Sequence, residues 1–328
     1  MQFGDYRVEV IPDTEFRLDG GAMFGVVPRV VWERVSPPDD KNRIRMNMNC
    51  VFIDTGKDKI LIETGIGEKW SPKQTEMYGI FRDKPLADTL HEIAGVRPED
   101  ITIVINTHLH FDHAGGNTIL ADEGGNASVH ERGNRAAEVE STSVRPIATL
   151  PNGRVSALKV VPQFKNARYL VSASELAHAE NPHERDRASY LPENWEPLKA
   201  TGQLEPMPDD YAPVPGLRVQ TARGHSETMQ TWRLDRGGKT LFGFADLIPT
   251  RHHVPLPWIM GYDLYPTETL AFKKGILPRA VEEGWTCLFY HDLEHPLCRL
   301  TVAENKIEAA PVTGQEWSAK RTTEFSPR

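Results

Sequence analysis

Residues 105–117 read INTHLHFDHAGGN. Four side chains able to bind a metal, His108, His110, Asp112 and His113, fall within six positions, directly after the apolar run ITIVI at 101–105. That run is continuous and β-branched, the pattern of a short strand buried on both faces. Where a strand ends, side chains still alternate with period two, so His108 and His110 point the same way. Asp112 and His113 are adjacent and project differently, toward a second point in space. Gly115 and Gly116 then let the backbone pass close to its surroundings. The spacing suits two neighbouring metal ions better than one, with His108 and His110 at the first and Asp112 and His113 at the second.

Two ions need further ligands, and the chain offers them at other strand ends. His225 follows the strand-like stretch 218–222, Asp246 follows 240–244, and His291 follows 285–290. The junction of a buried strand with a loop is where α/β folds place active-site groups. Imidazole and carboxylate donors without thiolate fit zinc, with iron, manganese, cobalt and nickel as alternatives. Calcium and magnesium favour all-oxygen shells and fit poorly.

Periodicity places the remaining elements. Strands are expected over 7–11, 15–18, 43–54, 59–63, 167–171, 218–222, 230–234, 240–244 and 285–290. Residues 230–234 and 240–244 are joined by a turn at 235–238. Helices are expected over 85–94 and 267–283, the second with Thr267 as N-cap. The polar, aromatic segment 174–201 reads as two short helices. It lies in an insertion spanning 168–210, between the two halves and near the active site. Residues 122–154 read as less regular, and 313–328 as a polar tail. The pattern is that of an α/β protein with two packed sheets and outer helices, forming a single domain over 1–328.

The stretch THLHFDHAGG resembles the HxHxDH motif of the metallo-β-lactamase superfamily, and His225, Asp246 and His291 match that family's later ligands in order and context. The resemblance covers roughly residues 43–295. It implies a four-layer αββα sandwich with two divalent ions, zinc foremost, at one edge of the sheets. His108, His110 and His225 would bind one ion. Asp112, His113 and His291 would bind the other, and Asp246 would bridge them. Residues 19–32, 174–195 and 245–253 further resemble quorum-quenching N-acyl-homoserine-lactone lactonases and the related methyl-parathion-hydrolase branch. The activity implied is opening of lactones or esters by a metal-bridging hydroxide, with Asp112 as the catalytic proton carrier. The alternatives are a phosphotriester hydrolase and, further off, an iron-dependent persulfide dioxygenase. Two departures stand out. The family's GHTPG is GHSET at 224–228, and its LIDTG is LIETG at 61–65, with Glu63 orienting a ligand rather than binding metal. Some lactonases carry a tyrosine three residues beyond the bridging aspartate; here Pro249 occupies that place, so the tyrosine's role is not carried over.

Bulk properties bound the partners. The 328-residue chain is 39% hydrophobic and 26% charged, with a formal net charge of −8, which disfavours a nucleic-acid backbone or an anionic membrane. A small-molecule substrate is expected, and relatives point to a homodimer. The start lacks a basic region followed by an apolar stretch, no apolar run approaches the about 20 residues needed to span a bilayer, and three cysteines include no CxxC pair. Those features fit a cytoplasmic location. Cys50 and Cys287 read as small buried hydrophobes. Tyr190, Trp195, Phe24, Trp258 and Tyr265 read either as an apolar wall for an acyl chain or as ordinary core. His252 and His253 read either as donors to substrate or as exposed. His91, His130, His178 and His183 read as surface or structural residues, and His295 as a loop cap.

Overall fold

The computed structural model describes residues 1–121, 148–149, 155–156 and 158–312. Two seven-stranded sheets dominate it. The first runs Gln2–Phe3, Tyr6–Asp19, Arg43–Asp54, Lys59–Ile62, Ile103–Ile105, Arg168–Ser172 and Leu204–Met207. The second runs Asp210–Val214, Leu217–Thr221, Gln230–Arg236, Lys239–Gly243, Thr286–Leu288, Leu297–Ala303 and Lys306–Pro311. Spatial order follows chain order within each sheet. Pairing is antiparallel where turns are short. It becomes parallel where a helix intervenes, as between Lys59–Ile62 and Ile103–Ile105 or Lys239–Gly243 and Thr286–Leu288.

One apolar cluster fills the space between the sheets, with Val51, Ile53 and Ile60 from the first and Val219, Trp232 and Leu241 from the second. The central strands are buried on both faces, which explains their uninterrupted apolar sequences. Helix Leu86–Ala94 packs on the first sheet and Pro266–Glu282 on the second, giving the four layers αββα. The sheets are joined directly by Asn49, whose side-chain amide donates to the Tyr290 and Asp292 carbonyls at 2.8 Å each.

Several elements differ instructively from the sequence reading. The two expected strands at 7–11 and 15–18 are one strand, Tyr6–Asp19, with a register shift between Pro12 and Glu15. Pro12 lacks the N–H that regular pairing uses, and the irregularity turns Asp13 inward to pair with Arg82 and accept from the Ile66 amide. Thr267 is not the N-cap of the last helix. Pro266 starts the helix after Tyr265, because its fixed φ suits the first helical position. Within the expected strand 285–290, regular pairing covers only Thr286–Leu288, although the flanking residues are equally buried. The segment after Arg168–Ser172 forms helices Ala173–Glu180 and Glu196–Ala200, with 3-10 turns at Arg187–Ser189 and Pro192–Asn194. The 235–238 turn tightens to Gly237 and Gly238, both at positive φ, the geometry of a two-residue hairpin loop. Cys50, Cys287 and Cys298 are all buried and free. His130, most of 122–154 and all of 313–328 lie outside the described residues. Among the described residues, no helix is long and apolar enough to cross a membrane.

Gly243 lies opposite Trp232 in the pair Gln230–Arg236 and Lys239–Gly243. A Cβ there would meet the indole Nε1 at 2.2 Å, and the indole is held by its 2.7 Å hydrogen bond to the Tyr290 hydroxyl. Gly243→Ala is expected to cost about 1–3 kcal/mol through overpacking. A melting temperature unchanged from wild type would contradict that tight packing.

Candidate metal centre

The parallel pairings decide where the site lies. Strands Ile103–Ile105, Lys239–Gly243 and Thr286–Leu288 deliver His108, Asp246 and His291 from their C-terminal ends to one edge of the sandwich. After His110 the chain turns into the single helical turn Phe111–Ala114, which sends Asp112 and His113 away from His108 and His110. The glycines that follow are required. A Cβ on Gly115 would lie 2.2 Å from the Ile66 carbonyl oxygen, and one on Gly116 would lie 2.1 Å from that of Thr64.

All seven residues singled out in the sequence converge. His108, His110 and His225 form one group, and Asp112, His113, Asp246 and His291 form another, with the donor atoms of each group within 4.8 Å of one another. Asp246 lies between them. Its Oδ1 is 3.1 Å from both His113 Nε2 and His291 Nε2. Its Oδ2 is 3.6 Å from His225 Nε2 and 4.0 Å from His108 Nε2. Asp112 Oδ2 lies 3.5 Å from His291 Nε2. His225 Nε2 is 3.1 Å from His110 Nδ1, so those two lone-pair edges converge as well.

The rear nitrogens of four of these rings face oxygens. His225 Nδ1 is 3.0 Å from Asp263 Oδ1, His291 Nδ1 is 3.0 Å from the Asn47 carbonyl, and His113 Nδ1 is 3.4 Å from Glu63 Oε1. His108 Nδ1 lies 3.0 Å from the Thr107 hydroxyl, which donates onward to Glu63. The rings of His225, His291 and His108 have a rear hydrogen-bond partner that can hold the proton on Nδ1 and leave Nε2 free for a metal, while His113 Nδ1 faces Glu63 without a hydrogen bond. At the front, His108 Nε2, His113 Nε2, His291 Nε2 and Asp246 Oδ1 are buried without a hydrogen-bond partner. Buried polar atoms are rarely left so, and lone pairs converging from four directions fit divalent cations.

Without an ion, the electrostatics divide the rings into two sets, one held neutral and one drawn toward the protonated form that an ion would displace. Burial, reinforced by neighbouring imidazoles, pushes His108 and His110 well below the ordinary histidine range and keeps them neutral. Burial acts the same way on His113 and His291, but Asp246 and Asp112 outweigh it and raise both. On Asp246 burial acts upward and is outweighed by His113 and His291, which hold the carboxylate ionised. Two non-glycine residues adopt left-handed backbone at the site: Glu63 at φ 63° and Ala245, next to Asp246, at φ 48°. Such strain, about 1–3 kcal/mol each, persists where surrounding structure fixes it, characteristically at functional sites.

A pocket of about 390 Å³ opens onto this cluster. Its apolar lining includes Leu18, Met23, Phe111 and Met260, with the rings of Tyr78 and Tyr262. The five aromatics weighed as a wall are not among the lining residues. Phe24 stacks between Trp32 and His253, and Trp258 meets it edge-on. Tyr265 lies under the Arg223 guanidinium. Tyr190 and Trp195 sit in a small buried cluster behind His110. His253 is no substrate donor and is not exposed: it is buried, with Nε2 against the Met23 carbonyl at 2.8 Å and Nδ1 against the Thr250 hydroxyl at 2.7 Å. His252 is half-buried away from the pocket. His178 pairs with Asp186 at 2.8 Å, while His91 and His183 are exposed. His295 is capped rather than capping: its amide donates to Asp292 at 2.7 Å.

Asp263, Thr107, Glu175, Tyr78 and Tyr262 escaped the sequence reading. Asp263 stands 38 positions from the histidine it touches, in a loop without local pattern. Glu175 is buried and accepts from the Leu109 amide, the Tyr190 hydroxyl and the Thr228 hydroxyl, so it ties helix Ala173–Glu180 to both histidine loops. Burial pushes its carboxyl up to about 7 despite those bonds.

The chain belongs to the metallo-beta-lactamase superfamily, whose sequence pattern matches residues 44–256. An N-acyl homoserine lactonase of Bacillus cereus is 31% identical over 85 residues, which are 23% of this chain and 34% of that protein. The match thus spans about a third of the length of that curated relative. Among solved structures, a probable metal-dependent hydrolase from Staphylococcus aureus superposes with a TM-score of 0.77 at 25% identity, covering 96% of this chain and 99% of that one. AidC, a dizinc quorum-quenching lactonase in complex with its product N-hexanoyl-L-homoserine, gives 0.69 at 18%, covering 96% and 97%.

Two outcomes follow from this geometry. Asp263→Ala frees the His225 ring and is expected to weaken metal affinity about 10–100-fold; unchanged affinity in a metal-competition titration would contradict the orienting role. His253 takes up a proton in the folded protein only at about pH 3, against about 6.5 when unfolded. The unfolded chain therefore binds the extra proton first, and stability falls as pH drops from about 6.5 toward 3. In metal-free protein, lowering pH from 7 to 5 should cost wild type about 2 kcal/mol more than His253→Gln. Equal losses in urea unfolding would contradict this.

Proposed function

We propose that the protein is a dinuclear metal-dependent hydrolase that opens lactones of the N-acyl homoserine type. The observation that carries the reading is the placement of Asp246, with one oxygen toward His113 and His291 and the other toward His225 and His108. His108, His110 and His225 would hold one ion, Asp112, His113 and His291 the other, and Asp246 would be shared. Imidazole and carboxylate donors favour zinc. Divalent ions bound there supply Lewis acidity and a water acidic enough to attack at neutral pH.

The chain's own residues provide the rest. Glu63, Thr107, Asp263 and the Asn47 carbonyl keep the imidazole lone pairs inward. Asp112 lines the pocket and is the proton carrier, delivering a proton to the alkoxide as the ring opens. Leu18, Met23, Phe111 and Met260 offer an apolar surface for an acyl chain and limit water around the reacting carbonyl. The lactonases among this chain's relatives support the same substrate class.

The test is proton release from a medium-chain N-acyl homoserine lactone with zinc-loaded protein. Ring opening is expected, lost on chelation and regained when zinc is restored. Asp246→Ala should lose more than the about 10–100-fold typical of an outer-shell substitution. Full activity with normal metal content in that variant would sink the shared-carboxylate assignment. Turnover of phosphotriesters but not lactones by the metal-loaded protein would move the substrate class and leave the metal centre standing.

A further inference from the structure

Lys273 lies in the middle of helix Pro266–Glu282 and is 0% exposed. A lysine is almost never fully buried without a partner. Its partners here are four backbone carbonyls: Nζ is 2.6 Å from that of His253, 2.8 Å from Pro255, 2.9 Å from Trp258 and 3.3 Å from Leu256. Three ammonium hydrogens thus face four oxygens drawn from six consecutive residues. This is how proteins surround a dehydrated monovalent cation, with carbonyl oxygens replacing its water shell. Burial draws the Lys273 ammonium down to about 7, Asp263, already bonded to Thr269 and His225, acts the other way, and the four carbonyls, which can only accept, favour the charged form that donates to them.

The gathered loop leads directly into the pocket. Met260, Gly261 and Tyr262 follow it and line the pocket wall. The loop is fastened to the neighbouring wall, since the Gly261 amide donates to the Ala22 carbonyl at 2.7 Å and His253 Nε2 meets the Met23 carbonyl. Gly25 leaves no room for a shift: a Cβ there would lie 2.4 Å from the Ile259 carbonyl oxygen. Thr269, one helical turn before Lys273, holds Asp263 at the loop's far end through a 2.7 Å bond. One helix face therefore fixes the loop at both ends.

We propose that Lys273 is a built-in monovalent cation that organises residues 253–262, and through them the substrate-binding wall of the pocket. It is a positioning residue, remote from the reacting atoms. The effect on binding rests on the reading of the pocket as the substrate site; the cation cage itself does not. Replacing the ammonium by an apolar chain leaves four carbonyls facing hydrocarbon. Truncating it to alanine leaves a cavity shaped for a short alkylammonium ion.

The test uses full-length zinc-loaded protein, wild type, Lys273→Met and Lys273→Ala, in sodium chloride or propylammonium chloride at equal ionic strength. Lys273→Met is expected to raise KM for the lactone about tenfold with kcat and zinc content little changed, the pattern of lost binding rather than lost chemistry. Propylammonium should raise the melting temperature of Lys273→Ala and lower its KM, with no effect on wild type or Lys273→Met. A Lys273→Ala chain that folds in propylammonium but not in sodium gives the same answer. Wild-type melting temperature and KM in Lys273→Met would overturn the proposal, and so would a Lys273→Ala chain that ignores propylammonium or folds in neither salt. If wild type opens no lactone, the proposed function fails, while the melting-temperature arm still decides the cage.

Discussion

A single buried carboxylate, Asp246, organises the site. Its two oxygens face different imidazoles, and all the groups around it are removed from water. Burying so many ionisable groups costs free energy unless charge and lone pairs are matched. The protein matches them in layers. Imidazoles face the carboxylate in front, and oxygens of Asp263, Glu63, Thr107 and Asn47 fix the rings behind. The left-handed backbone at Ala245 is the local strain that aims Asp246 inward. What remains unmatched are lone pairs at the front, and divalent cations would complete them.

The rest of the fold serves this arrangement. Parallel pairing places three ligand-bearing strand ends at one edge, and the close approach of Gly115 and Gly116 to residues 64–66 lets the histidine loop turn there. The two departures from the family pattern acquire physical reasons. Thr228, in GHSET, donates to Glu175 and connects the second histidine loop to helix Ala173–Glu180. Glu63, in LIETG, reaches both His113 and the Thr107 hydroxyl behind His108, while its own backbone is held at positive φ. A longer side chain than aspartate lets one carboxylate serve two rings.

The sequence disclosed the ligand cluster because its chemistry is local: His108 to His113 sit on one strand end and one helical turn. The later members were legible because each follows an apolar strand. Central strands such as Ile60–Ile62 and Ile103–Ile105 were equally plain, since burial on both faces leaves an uninterrupted apolar run. What stayed hidden was set by contacts across the chain. Asp263 and Glu175 look like surface acids until the fold buries them, and Lys273 looks like an exposed helix lysine. Of the aromatics weighed as a pocket wall, Phe24, Tyr190, Trp195 and Trp258 pack in or against the core and Tyr265 lies half-buried under Arg223, while Tyr78 and Tyr262 take the place at the pocket, because loop paths carry no periodicity. Pro12 marked an irregular strand but not that pairing would resume beyond it.

The central claim is that two cations share Asp246. It is tested most directly by anomalous scattering at the zinc edge from crystals of zinc-loaded protein. Two peaks on either side of the Asp246 carboxylate, one against His108, His110 and His225 and the other against Asp112, His113 and His291, are the predicted result. A single peak, or peaks away from Asp246, would contradict the account.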